Sequence, residues 1–301
     1  MTFSTMRSHL ASILKVDATI ANQTTLLNRL INQGQQEIWA AYDWPWAMER
    51  EIVETAADKT AGTAAIDSAA TTVTGTSTAF ASGDVGKYIQ FSTNADWYRI
   101  TAVASATSLT IEKGFTGSSN VTGVTYTIRQ LLYSLSSSVE KVLTMRQMRS
   151  PAKLELVHYR KFHHDRPYPQ STGNPTTYIL YGYDSSDRWR FSPYPWPDAT
   201  MNLEVLFKKK VTDLSADTDV SEIPEKWHQT VLFDAALCRA LEYVRSSDND
   251  RRSELVRQRF KEGLEQMIAD YDADSDYHPR LDNPEEKASL DNIVPFPAGW
   301  G

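Results

Sequence analysis

The sequence predicts an α+β fold: an antiparallel helical bundle of about four helices, an inserted small β-module of the barrel or sandwich type, a second antiparallel β-region and an extended C-terminal arm. Apolar residues recur at every third or fourth position near both ends of the chain, which is typical of amphipathic helices. The middle of the chain is rich in Thr, Ser, Ala and Gly and contains short segments that alternate between apolar and polar residues, as strands do. Because helical patterns flank this middle part, we expect the helices of both ends to share one core.

The same changes in composition divide the chain into five parts. These are the first half of the helical domain (residues 1–55), the inserted β-module (56–128), the second β-region (129–222), a helical hairpin that completes the bundle (223–271) and the acidic arm (272–301).

Composition and charge limit the classes of function. The chain has 301 residues, 41% of them hydrophobic, and its apolar runs are far shorter than the roughly 20 residues of a membrane helix. Residues 1–16 lack the pattern of a secretory signal, so we expect a cytoplasmic protein. Eight acidic residues lie between Asp270 and Gly301 against Arg280 and Lys287, so this stretch carries −6 of the net charge of −7. The nearly neutral remainder lacks the basic surface that drives nucleic-acid binding.

Two amphipathic helices are predicted before residue 55. The first covers residues 3–14, with Ser4 as its N-cap. The second is capped by Thr24 or Thr25 and ends before Pro45, because the residue before a proline is driven out of the helical region. Its apolar stripe consists of Leu27, Leu30, Ile31, Ile38, Trp39 and Tyr42.

The hairpin of residues 223–271 carries the strongest helical signal. Pro224 suits the first position of a helix. The two apolar stripes are Trp227, Val231, Ala235, Cys238, Leu241 and Val244, and then Val256, Phe260, Leu264, Met267, Ile268 and Tyr271. Cys238, the one cysteine, lies on the first stripe and is interpreted as a buried structural thiol.

The two β-regions are read from alternation and turns. Tyr98, Ile100 and Ala102 alternate with polar neighbours, as in a strand with one buried face. The run of residues 184–187, Asp-Ser-Ser-Asp, predicts a hairpin turn in the second region.

Several aromatic and apolar side chains have no predicted core to enter. In the arm these are Tyr277, Val294, Phe296 and Trp300, and we expect them to bind a partner. Trp97 and Trp196 lie in strands or loops and are possible interface aromatics.

No motif for catalysis or cofactor binding is convincing. The residues His158, His163, His164 and Asp165 have no spacing typical of a metal site. The alternating acids from Asp270 lack the glycine and the glutamate that a calcium loop requires. Residues 83–87, Gly-Asp-Val-Gly-Lys, lack the spacing of a phosphate loop and are read as a turn. We therefore predict neither an enzyme nor a cofactor.

Several short motifs follow one another along the chain: Leu30-Ile31-Asn32, Asp43-Trp44, Asn174-Pro175, Pro193-Tyr194-Pro195-Trp196-Pro197-Asp198, Leu214-Ser215-Ala216-Asp217 and Ile223-Pro224-Glu225. Their order resembles the head-to-tail adaptor (connector) proteins of tailed bacteriophages, of the tail-accessory or tail-tubular type below the portal. The β-module is similar to one common in phage tail proteins, through Phe80, Asp84-Val85-Gly86-Lys87, Tyr98-Arg99-Ile100, Ser108-Leu109-Thr110 and Gly123-Val124-Thr125-Tyr126.

This resemblance implies a structural virion protein at the head-tail junction, assembled in the host cytoplasm. It implies a homo-oligomeric ring, commonly of twelve subunits, which contacts the portal protein and a tail or nozzle protein. DNA passes through the ring without specific binding, and no membrane is involved. The alternative is a carbohydrate- or cell-surface-binding phage tail protein, in which Tyr88, Trp97 and Tyr98 present aromatic rings to sugar.

Overall fold

A computed structural model describes residues 1–17, 19–149, 153–166, 171–243 and 247–272, without the side chains of 247–250 and 272. Two compact units are present, one formed by Met1–Ala47 with Val211 onward and the other by Met48–Lys210. We call them the helical unit and the β unit. The helices are α1 (Phe3–Leu14), α2 (Ala21–Ala41), α3 (Tyr159–Asp165), α4 (Phe233–Tyr243) and α5 (Ser247–Asp272). None of the helices in these ranges has the length and apolarity needed to cross a bilayer.

The local signals for the helix starts differ from the predicted ones. Thr2, not Ser4, caps α1, and its hydroxyl accepts a hydrogen bond from the Thr5 amide. The helix α2 begins at Ala21, so Thr24 and Thr25 lie inside its first turns and donate their hydroxyls to the carbonyls of Ile20 and Ala21. A 3₁₀ turn and a π-helical turn, His228–Leu232, precede α4.

Both ends of the chain contribute to the core of the helical unit. Its largest fully buried side chains include Phe3, Leu27, Ile31, Trp39 and Trp44, and the same cluster contains Val231, Leu241, Cys238, Phe260 and Met267. The approach of α2 to α4 depends on Gly34, where an added Cβ would lie 2.9 Å from the amide nitrogen of Ala236. The Trp44 ring meets Tyr271 at 5.9 Å between centroids, so the end of α2 contacts the end of α5.

Fourteen strands are described in the β unit. They are β1 (Met48–Glu54), β2 (Thr63–Ile66), β3 (Thr72–Thr76), β4 (Tyr88–Phe91), β5 (Tyr98–Ser105), β6 (Ser108–Ile111), β7 (Val121–Val124), β8 (Tyr126–Arg129), β9 (Tyr133–Ser134), β10 (Val139–Gln147), β11 (Lys153–Leu156), β12 (Thr177–Tyr183), β13 (Trp189–Tyr194) and β14 (Asn202–Lys209).

These strands form two seven-stranded sheets. The β1 sheet has the order β1-β14-β10-β11-β12-β13-β9, and the β2 sheet has the order β7-β2-β3-β6-β5-β4-β8. Neighbouring strands are antiparallel except β11 and β12, which are parallel. Each sheet has its own apolar cluster, around Val205 and Phe207 in the β1 sheet and around Ile89 and Ile100 in the β2 sheet.

The predicted fold class is wrong. Two curled seven-stranded sheets make this a β-rich protein, not a four-helix bundle with a small insert. A fifth helix, α3, packs against the β1 sheet through Phe162, which contacts Tyr194 at 5.1 Å between ring centroids. The error arises because helical stripes are visible within one segment, whereas strand pairing is not: β1 pairs with β14, whose residues lie some 150 positions further on.

Replacing Leu241 by alanine is expected to destabilise the helical unit. The side chain is 1% exposed in its core, and truncating such a leucine costs about 2–5 kcal/mol. Urea denaturation followed by circular dichroism measures the loss. The control is Leu255→Ala on α5, where the side chain is 60% exposed and the expected change stays within about 0.5 kcal/mol. Equal effects of the two substitutions would contradict the core described here.

Candidate functional site

A polar groove of about 550 Å³ lies in the β unit. One wall is the β4–β5 pair, where Tyr88 lies opposite Arg99, and the other is the β9–β13 pair, where Ser134 lies opposite Arg190. The lining residues are Gly83, Val85, Gly86, Lys87, Tyr88, Arg99, Glu112, Gln130, Leu132, Ser134, Asp184, Arg188 and Arg190. We call this cavity the polar groove.

Basic side chains outnumber acidic ones in the polar groove. Lys87, Arg99, Arg188 and Arg190 face only two carboxylates, those of Glu112 and Asp184. The excess of positive charge favours an anionic ligand.

Two of the four cations are already paired. The Arg188 guanidinium donates to Asp184, which also accepts from the amides of Ser186 and Arg188 and from the Ser134 hydroxyl. Partial burial opposes ionisation of Asp184, but these hydrogen bonds, led by those of Arg188, lower its pKa to about 2. Lys87 is held by Asp84.

Arg99 and Arg190 differ from these two cations because, among the described residues, their side chains are not paired. Within the described part of the chain neither side chain makes a hydrogen bond or an ion pair, and the buried Nε of Arg190 has no partner there. These two arginines are the cations that the groove can offer to a ligand.

Asp84 fixes the turn that forms one rim of the polar groove. It is 1% exposed and accepts from Lys59 Nζ at 2.5 Å, Lys87 Nζ at 3.1 Å and the Ala81 amide at 3.0 Å. Residues 83–87 therefore comprise the end of a short 3₁₀ helix, Ser82–Asp84, and the turn that follows it, where Gly86 adopts a positive φ of 87° that favours glycine. Burial opposes ionisation of Asp84, but the hydrogen bonds from Lys59, Ala81 and Lys87 outweigh it and hold its pKa below the usual value.

A second hollow, of about 380 Å³, brings together the three aromatics of the carbohydrate hypothesis, Tyr88, Trp97 and Tyr98. Tyr98 is only 5% exposed and packs against Phe91 and Phe115. Its hydroxyl is hydrogen-bonded to Thr116 and Asn94. Little of this ring remains for a ligand.

The two predicted interface tryptophans contact each other. The rings of Trp97 and Trp196 lie edge to face at 5.9 Å between centroids, and Trp196 is 7% exposed. The Arg129 guanidinium lies 5.1 Å from the Trp97 ring centre and pairs with Asp58. An interface role for Trp97 and Trp196 stays a prediction. The predicted arm residues Tyr277, Val294, Phe296 and Trp300 lie outside the described residues.

In the helical unit, a hollow of about 390 Å³ is lined by Cys238 and charged side chains. Cys238 is 7% exposed, and burial raises the pKa of its thiol, which disfavours the reactive thiolate. Nearby Arg257 and Arg239 are paired with Glu242 and Glu37. In the β unit, His163 and His164 lie on α3, and His158 caps this helix. Across the described ranges, no three His, Cys, Asp or Glu side chains lie together as a metal site requires.

The sequence analysis missed the cations of the polar groove. Arg188 directly follows the predicted turn and Arg190 lies two positions later in β13, which is a readable local signal. Their counterparts Lys87 and Arg99 are some 90 to 100 positions earlier, and only the folded chain brings the four together.

Replacing Asp84 by asparagine is expected to destabilise the β unit by about 1–3 kcal/mol at pH 7, because two ammonium groups lose their buried carboxylate. The pKa of Asp84 is lower in the folded than in the unfolded chain, so its ionised form stabilises the fold at neutral pH. This contribution is lost as the pH falls below about 4, and the difference between wild type and variant should shrink there.

Urea titrations at several pH values, followed by tryptophan fluorescence, measure this effect. Asp67→Asn is the control in the same β unit, because Asp67 is exposed and its side chain has no hydrogen bond among the described residues. A pH-independent difference between wild type and Asp84→Asn would contradict the assignment.

The comparison with protein families identifies the class of the molecule. The family model described as SU10 adaptor protein matches residues 1–283, which span both units. No curated protein matches the chain. The match covers nearly the whole chain, and the class is a structural one, not an enzyme class. The chain belongs to the SU10 adaptor protein family and is a structural adaptor protein of a phage.

Proposed function

We propose that this adaptor forms a homo-oligomeric ring at the head-tail junction of the virion, where it joins the portal protein to the tail or nozzle protein and continues the DNA channel. The observation that carries the proposal is the family match over residues 1–283. Twelve subunits are the expected number, as the resemblance to head-to-tail connectors implies.

The charge distribution supports a passive channel. Outside the acidic end that begins at Asp270, the chain is nearly neutral. A protein that binds DNA tightly neutralises many phosphates with Lys and Arg. A nearly neutral body is therefore compatible with DNA that passes without specific binding.

The arm supplies contacts to the portal in this proposal. Its acidic residues keep it solvated, while Val294, Phe296 and Trp300 are apolar groups close to two prolines. Proline restricts the unbound chain, so less entropy is lost when the segment docks. Tyr277 is the first of the predicted partner-binding residues along the arm.

The carbohydrate-binding alternative is less well supported. Sugar recognition by aromatic residues needs an accessible ring face. In the hollow beside Tyr88, the Tyr98 ring is buried, and Trp97 is contacted by Arg129 and Trp196. Glycan binding by the purified protein, measured on a glycan array and abolished by Tyr88→Ala, would revive this alternative.

Electron microscopy of the purified protein, alone and with the portal of the same phage, tests the proposed ring. We expect closed rings that stack on the portal, with twelvefold symmetry in class averages. A protein that stays monomeric at all concentrations and does not bind the portal would reject the proposal.

A triple variant tests the arm. Val294→Ser, Phe296→Ser and Trp300→Ser together should leave the fold intact but weaken portal binding at least about tenfold, because the apolar anchors are lost. The matched control removes three exposed apolar side chains elsewhere in the helical unit, as Ile20→Ser, Val220→Ser and Leu255→Ser. Biolayer interferometry with immobilised portal measures both variants. Equal affinity of the arm variant and the wild type would remove the arm from the proposed interface.

A further inference from the structure

We propose that the polar groove binds the acidic segment of residues 274–291 from a second copy of this chain. The inference rests on the proposed ring, because a ring brings copies of the chain into contact. It adds an intersubunit contact that is electrostatic and separate from the apolar contact with the portal.

The polar groove carries positive charge that is not paired within the described ranges. Arg99 is exposed, and neither the Arg99 nor the Arg190 side chain has a hydrogen bond or ion pair among the described residues, although both line the same cavity. Arg188 and Lys87 add positive charge while remaining bound to Asp184 and Asp84. A partly buried guanidinium without a partner, such as that of Arg190, is stabilised by an incoming carboxylate.

The proposed occupant of the groove is acidic. Residues 274–291 contain six acidic side chains, at Asp274, Asp276, Asp282, Glu285, Glu286 and Asp291, against Arg280 and Lys287. Arginine binds carboxylates through two parallel hydrogen bonds, which lysine does not provide. An acidic peptide therefore matches a groove whose available cations are both arginines.

The volume of the groove and the length of the segment suit a peptide as the occupant. A groove of about 550 Å³ with strands on both sides accommodates a few side chains of a peptide, not a folded domain. Eighteen residues in an extended conformation span at most about 60 Å, which is more than the width of a small domain. A segment of this length can extend beyond its own subunit.

A charge exchange between two full-length variants tests the contact in trans. The groove variant carries Arg99→Glu and Arg190→Glu, and the segment variant carries Asp282→Lys, Glu285→Lys and Glu286→Lys. Each variant alone should associate at least about tenfold more weakly than the wild type in sedimentation velocity at low salt. An equimolar mixture should recover association, because the reversed groove of one accepts the reversed segment of the other.

A control with the same change in charge is Arg29→Glu with Arg252→Glu, at exposed positions of α2 and α5. It should associate like the wild type. Because Arg190 is half-buried, its substitution can unfold the β unit. Arg99→Glu alone, at an exposed position, is the second variant, and its circular dichroism should match that of the wild type.

A labelled peptide of residues 274–291 gives a direct measurement that needs no portal. Its fluorescence anisotropy with the full-length segment variant should rise, and 0.5 M salt or Arg99→Glu should weaken binding at least about tenfold. Three results would overturn the inference: no peptide binding, a mixture that associates no better than its components, or binding of a short DNA duplex by the groove in place of the peptide. Since the ring and portal experiments are separate, failure here leaves the proposed function untouched.

Discussion

The fold of this adaptor depends on one antiparallel pairing, that of β1 with β14. Met48 lies opposite Lys208 and Glu54 opposite Asn202, so the first and last strands of the β unit are neighbours along seven residue pairs. Closing a loop of this length costs conformational entropy, which grows only slowly with loop length and is offset by buried side chains such as Leu203, Val205 and Phe207. Because the strands that open and close the β unit are paired, the segments before β1 and after β14 are held close enough for one helical core.

The sequence analysis identified what is encoded locally. Leu27, Leu30, Ile31 and Ile38 lie on the predicted stripe and are buried, because a helical period of 3.6 residues is visible within a single segment. The sheets were underestimated because most strands have four to nine residues and some pairs, such as β1 with β14 and β10 with β14, join strands far apart in sequence. The polar groove was missed for the same reason. Its two walls come from strands that sequence patterns cannot bring together.

Of the charged side chains that the structure describes in the β unit, some have a partner of opposite charge and others do not. This difference determines the positive charge of the polar groove. The nearly buried carboxylates have basic partners: Asp84 has Lys59 and Lys87, and Glu204 has Arg50 and Arg146. A buried carboxylate without a partner would be costly, so these pairs are required by the fold itself. Among the described residues, the side chains of Arg99 and Arg190 pair with no carboxylate, which leaves them available to a ligand.

The shared core of the helical unit also has a consequence for synthesis on the ribosome. The helices α1 and α2 are made first, yet Phe3, Leu27 and Trp39 are buried against α4 and α5, which emerge after the whole β unit. At bacterial rates of about 5–20 residues per second, the apolar faces of the first two helices wait roughly 10–40 s for their partners. During that interval the apolar side chains of the first two helices are exposed to solvent. The helical core is therefore completed only after the β unit has been synthesised.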